Sequence, residues 1–109
     1  KRQELRRRQI ELEEKMEKVT FSRSKMSSCL SICKEFVEKL EERKRKLIED
    51  QIKLEEKSFN DLLTYYDLEI NAKENTIEDV EKCITDLDKK LQDFADELQK
   101  VDDEMAAKD

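Results

Sequence analysis

The sequence predicts an all-α fold, a long helical coiled coil, and three observations carry that expectation. Leu5, Leu12, Val19, Met26, Cys33, Leu40, Leu47 and Leu54 recur every seventh residue without a miss, the period that keeps one seam of a helix facing a partner. The 109 residues contain neither Gly nor Pro, so tight turns and strand boundaries have little to work with. Charged residues make up 48% of the chain and hydrophobic ones only 36%, a composition suited to a stripe of core rather than a compact centre.

The first segment, residues 1–54, reads as a weaker and basic coil. With Leu5 and its successors at heptad position d, the a positions are Arg2, Gln9, Met16, Arg23, Leu30, Val37, Lys44 and Gln51. Five of these eight are polar or basic, which lowers stability while fixing register and limiting the coil to few strands. Within this segment, residues 20–29 are rich in hydroxyl side chains that compete for backbone hydrogen bonds, and are read as a flexible joint.

Residues 55–66 form a phase-change or hinge region, and the hydrophobic stripe shifts register between residues 47 and 66. Two positions separate the frames, so the second stripe emerges on nearly the opposite side of a continuous helix. One solution is a single helix that unwinds locally. The alternative is an antiparallel helical hairpin turning near residues 57–61, where Ser58 and Asp61 stand at capping spacing and Asn60 tolerates turn geometry. Continuity is the preferred reading, because apolar residues run on through Phe59, Leu62, Leu63, Tyr65 and Tyr66.

The third segment, residues 67–109, is the stronger and acidic coil. Its d positions continue through Val80, Leu87, Phe94 and Val101, and its a positions are Ile70, Ile77, Ile84, Leu91, Leu98 and Met105. Residues 71–76 could interrupt it, with Thr76 and Asp79 at capping spacing, yet the heptads run through and Lys73 at d reads as a register device.

Charge is divided unevenly. Residues 1–54 hold 16 Lys and Arg against 11 Asp and Glu, whereas residues 55–109 hold 7 against 18. A basic half followed by an acidic one favours antiparallel or staggered association. In a parallel homodimer Arg23 and Lys44 would meet their own copies, and the acidic e and g edges of the second half, Asp67, Asp88 and Asp102 among them, would repel. A heteromeric coiled-coil protein partner is therefore expected ahead of a parallel homodimer, with antiparallel association as the way the chain satisfies itself.

The expected oligomer interface comprises Leu5, Leu12, Val19, Met26, Cys33, Leu40, Leu47, Leu54, Ile70, Ile77, Val80, Ile84, Leu87, Leu91, Phe94, Leu98 and Val101. Phe59, Leu62, Tyr65 and Tyr66 are candidates for docking a further protein, since adjacent aromatics on a helix point about 100° apart and cannot both face one seam. A compact adaptor that binds a globular protein over residues 59–66 is the alternative function to oligomerisation and scaffolding.

Catalysis is not expected. The chain has no His, the commonest general base, and its many carboxylates lack a shaped cavity to shift their pKa values. No cofactor or metal is expected either: Cys29 and Cys33 share a helical face, but a metal would need two further ligands. The basic start at Arg6, Arg7 and Arg8 is followed at once by Glu11, Glu13 and Glu14 without a stacking aromatic, so nucleic-acid binding is not expected. With no apolar run of about 20 residues to span a bilayer, a first residue that is Lys rather than Met, and three cysteines in a Lys/Glu-rich chain, the expectation is an excised segment of a soluble protein from cytosol or nucleus.

Residues 3–57 resemble the coiled-coil proteins of cilia and flagella related to the modified inner-arm scaffold of the axoneme. The likeness is carried by heptads through Leu5, Leu12 and Met16, by Cys33-Lys34-Glu35-Phe36-Val37, and by Arg43-Lys44-Arg45-Lys46; that family tends to carry an aromatic at the position of Cys33. The resemblance implies a fibrous cytoskeletal scaffold on doublet microtubules that anchors motor complexes.

Overall fold

The computed structural model describes residues 1–50 and 55–108, and among these all regular structure is α-helical. Helix α1 spans Arg2–Glu49 and helix α2 spans Glu56–Lys108. Acids open both helices, Glu4 in α1 and Glu56 in α2, and bases close them, Lys46 and Lys108. Each charge complements the helix dipole at its own end. Residues 51–54 lie outside the described residues, and with them Leu54 of the expected interface.

The chain forms two compact units, each drawing on both helices: Lys1–Ser27 with Lys82–Asp109, and Ser28–Glu81. In the first, Leu5, Leu12 and Val101 form the buried core, with Phe94, Leu98 and Met105 packed against it. The Gln9 side-chain amide donates to Asp102 at 2.6 Å and Arg23 pairs with Asp88. Between those two contacts α1 advances by two heptads while α2 retreats by two, so the helices run antiparallel in a fixed register. In the second unit Val37, Leu40 and Ile70 make the core, flanked by Tyr66 and Ile77. Lys44 Nζ lies 2.5 Å from Asp67 Oδ1 beside that core.

Both heptad frames are visible in the burial pattern. Every a and d residue within 5–47 of α1 and within 59–105 of α2 is buried or half-buried, including the polar Gln9, Arg23, Lys44 and Lys73. In an antiparallel pair each helix needs its own stripe toward the other, so the two frames need not coincide as they would on one straight rod.

The architecture corrects three expectations. The preferred continuous helix is not formed: α1 ends at Glu49, and contacts such as Gln9 with Asp102 require the hairpin alternative. The turn is not at 57–61 either, because the Phe59 amide already donates to the Glu55 carbonyl at 2.9 Å and Ser58 and Asp61 lie inside α2. Glu55 thus holds the capping position that the Ser58 spacing suggested for a later residue. Residues 20–29 are not a break, since α1 passes through them as helix. Residues 71–76 are helical, as the uninterrupted heptads predict, with the Thr76 hydroxyl bonded to the Ala72 carbonyl at 3.1 Å.

Candidate interaction surface

The two units divide the candidate residues into a closed seam and an open exterior. Of the expected interface, Leu5, Leu12, Leu40, Ile70 and Val101 are buried, and Val19, Met26, Cys33, Leu47, Ile77, Val80, Ile84, Leu87, Leu91, Phe94 and Leu98 are half-buried, within the seam of one chain. The basic residues at a positions find partners in the same chain: Arg23 with Asp88 and Lys44 with Asp67, both acids standing at e positions of α2. Like charges that would repel in a parallel homodimer are here opposite charges across a hairpin.

What stays exposed is apolar surface outside the seam. In the Ser28–Glu81 unit, Ile32 is 65% exposed, Tyr65 54% and Phe36 47%. Heptad geometry sorts this surface. Positions g and c lie on one flank of the seam and e and b on the other, and in an antiparallel pair the g flanks of both helices meet on one broad face. Lys73, at d of α2, sits with its Nζ 5.2 Å from the Phe36 ring centroid, which places the g residue of α1 on that side.

On the g/c face α1 contributes Cys29, Ile32 and Phe36, then Lys39, Arg43 and Lys46; α2 contributes Leu62, Tyr65, Glu69, Ala72, Thr76 and Asp79. Among the described residues of this unit, Ile48 is the one large exposed hydrophobic residue on the e/b face, among charged and amide side chains such as Glu38, Glu41, Asn71 and Glu74. There the Arg45 guanidinium clamps Glu42 at 2.6 Å and Glu49 at 2.5 Å along α1. Its hydrogen bond holds the Glu42 carboxyl below the usual value of 4.5, and the same bond raises the Arg45 pKa. A surface satisfied by its own ion pairs is built to stay in water.

The docking candidates separate as their positions on the helix require. Tyr66 packs against the core at Ile70, and Phe59 is half-buried, while Tyr65 and Leu62 point outward. The rings of Tyr65 and Tyr66 meet edge to face, with centroids 5.6 Å apart and planes at 62°, a favoured aromatic geometry. Sequence reasoning missed Ile32 and Leu68, each 65% exposed. The spacing of Cys29, Ile32 and Phe36, three then four, carried the signal for the first; Leu68 stands at f, where no flanking pattern marks it. In the other unit Phe21 is also exposed at f, with Lys25 Nζ 4.6 Å from its ring centroid.

Among the described residues no group of three or more His, Cys, Asp or Glu is placed to hold a metal ion, and no helix is long and apolar enough to cross a membrane. Cys29 and Cys83 are exposed free thiols and Cys33 is half-buried at the seam. No protein-family model, no curated protein and no solved structure matches the chain.

Proposed function

We propose that this chain is a non-enzymatic assembly module: a helical hairpin that closes its coiled-coil seam on itself and joins other helical proteins through its exterior. The observation that carries this reading is the contrast within the Ser28–Glu81 unit. The seam is filled and its polar a residue Lys44 is paired, while Ile32, Phe36, Leu62 and Tyr65 stand in solvent on one face. Exposed apolar residues gathered on one side of a soluble-type, highly charged hairpin are the mark of a protein contact. Oligomerisation and scaffolding of a larger intracellular complex follow from such a face. The resemblance of residues 3–57 to axonemal scaffolds supports a cytoskeletal or ciliary setting in the cytoplasm.

A compact adaptor for a globular protein is the second reading, favoured by the outward pair Leu62 and Tyr65 with Leu68 beside them. Cross-linking mass spectrometry in cells producing the chain tests the module. Lys39 and Lys46 of the g/c face should carry cross-links to helical proteins, and these should vanish when Phe36 and Tyr65 are both changed to Glu. Cross-links confined to Lys57 and the e/b face would overturn the assignment of the surface.

A further inference from the structure

Resting on the reading above, we infer that the g/c face of the Ser28–Glu81 unit is covered by the same face of a second copy of this chain, related by a two-fold axis parallel to the helices. Each copy would then lay its α1 on the other's α2, and all four neighbouring helices would be antiparallel. The level of the side chains along the hairpin is fixed by the Lys44–Asp67 pair and by Lys73 over Phe36. A two-fold axis along the helices preserves those levels.

Two complementarities follow. Phe36, bulky and exposed on α1, stands level with the α2 turn that carries Ala72 and Thr76, so a large residue of one copy meets small ones of the other. Arg43 and Lys46, further along α1, stand level with Tyr65 and Glu69 of α2, where a base finds a carboxylate and an aromatic face. The e/b face spends charges on its own chain. Its Arg45 is already committed to Glu42 and Glu49, and Asp67 is committed to Lys44.

The area suffices. The part of α1 in this unit is about 33 Å long at 1.5 Å per residue. Two helices each about 10 Å across then present roughly 660 Å² per copy, or about 1,300 Å² in all, within the range of specific dimers. The antiparallel hairpin also removes the like-charge opposition that sets parallel copies apart, since the acids of α2 are answered by bases of α1.

The test uses the full chain in sedimentation equilibrium from about 1 to 200 µM, with circular dichroism confirming that each variant stays helical. The chain should approach twice its 13.1 kDa mass as concentration rises, and Phe36→Glu should weaken that association at least about tenfold, as loss of a central aromatic does. Arg43→Glu and Glu69→Arg should each weaken self-association alone. Mixed together they should form a heterodimer, because both contacts across the two-fold axis are then of opposite charge. A helical chain that stays at 13.1 kDa throughout, or charge variants that fail to rescue one another, would overturn the second copy as the occupant. The cross-links at Lys39 and Lys46 would in that case still decide whether a different protein uses the face.

Discussion

Leu40 and Ile32 are aliphatic residues eight positions apart on one helix of one unit, yet Leu40 is 3% exposed and Ile32 is 65% exposed. Residue type does not separate them; heptad position does. Leu40 is at d, where the second helix of the hairpin covers it, and Ile32 is at c, on the flank that a two-helix structure leaves open. A hairpin has one seam and can bury one stripe per helix. Any second stripe awaits another molecule, and the same chemistry thus serves stability at one position and association at the other.

The largest effect expected from breaking this comparison comes at the seam. Leu40→Asp puts a carboxylate against Val37 and Ile70 in the core of the unit, at a cost on the order of 3 kcal/mol or more. Thermal melts followed by circular dichroism should show the Ser28–Glu81 unit losing its transition. Next in size is Leu40→Ala, expected to cost about 2 to 3 kcal/mol in urea unfolding. Ile32→Ala at low micromolar concentration should stay within about 0.5 kcal/mol of the parent. Equal costs at the two sites would erase the distinction between seam and open face.

Smaller effects concern the pairs beside the seam. A double-mutant cycle on Lys44→Ala and Asp67→Ala should give a coupling of about 0.2 to 1 kcal/mol, because both side chains remain partly in water. That coupling should shrink in high salt. Its value lies in register more than in stability: a two-heptad slip would separate Lys44 from Asp67 and Arg23 from Asp88 together.

Much of this was legible in the sequence. The a and d assignments hold on both helices because apolar spacing reports a buried stripe whatever covers it, and the outward turn of Tyr65 relative to Tyr66 followed from 100° per residue. Direction was harder to read. Without Gly or Pro no residue announced a turn, and the phase change after Leu47 had two physical solutions. The long apolar run from Phe59 to Tyr66 suggested continuity, whereas it is the opening of α2. The pairing of Arg23 and Lys44 with Asp88 and Asp67 could have decided the matter: basic a residues in one half and acids at e in the other are what an antiparallel hairpin needs. The charge asymmetry already favoured antiparallel association, yet basic a residues are answered equally well by the acids of a different chain.

The smallest effect lies on the e/b face and concerns protons. In the folded chain the Arg45 hydrogen bond lowers the Glu42 pKa below 4.5. A carboxyl with a depressed folded pKa contributes stability that is present above its ordinary value and is lost as pH falls through the folded one. Carboxyl-detected NMR titration should therefore place the Glu42 midpoint below 4.5, and Arg45→Ala should move it back up.

The antiparallel closure of the seam is best tested by a distance. Spin labels at Glu38→Cys and Asn71→Cys, both exposed b positions, with Cys29, Cys33 and Cys83 changed to Ser, would be measured by double electron–electron resonance. Dilution with unlabelled chain removes signals between copies. Packed antiparallel helices, with axes about 8 to 10 Å apart, predict a separation on the order of 20 Å between the labels. A separation near 50 Å, the length of the intervening 33 residues as one helix at about 1.5 Å each, would contradict the hairpin and with it the open face.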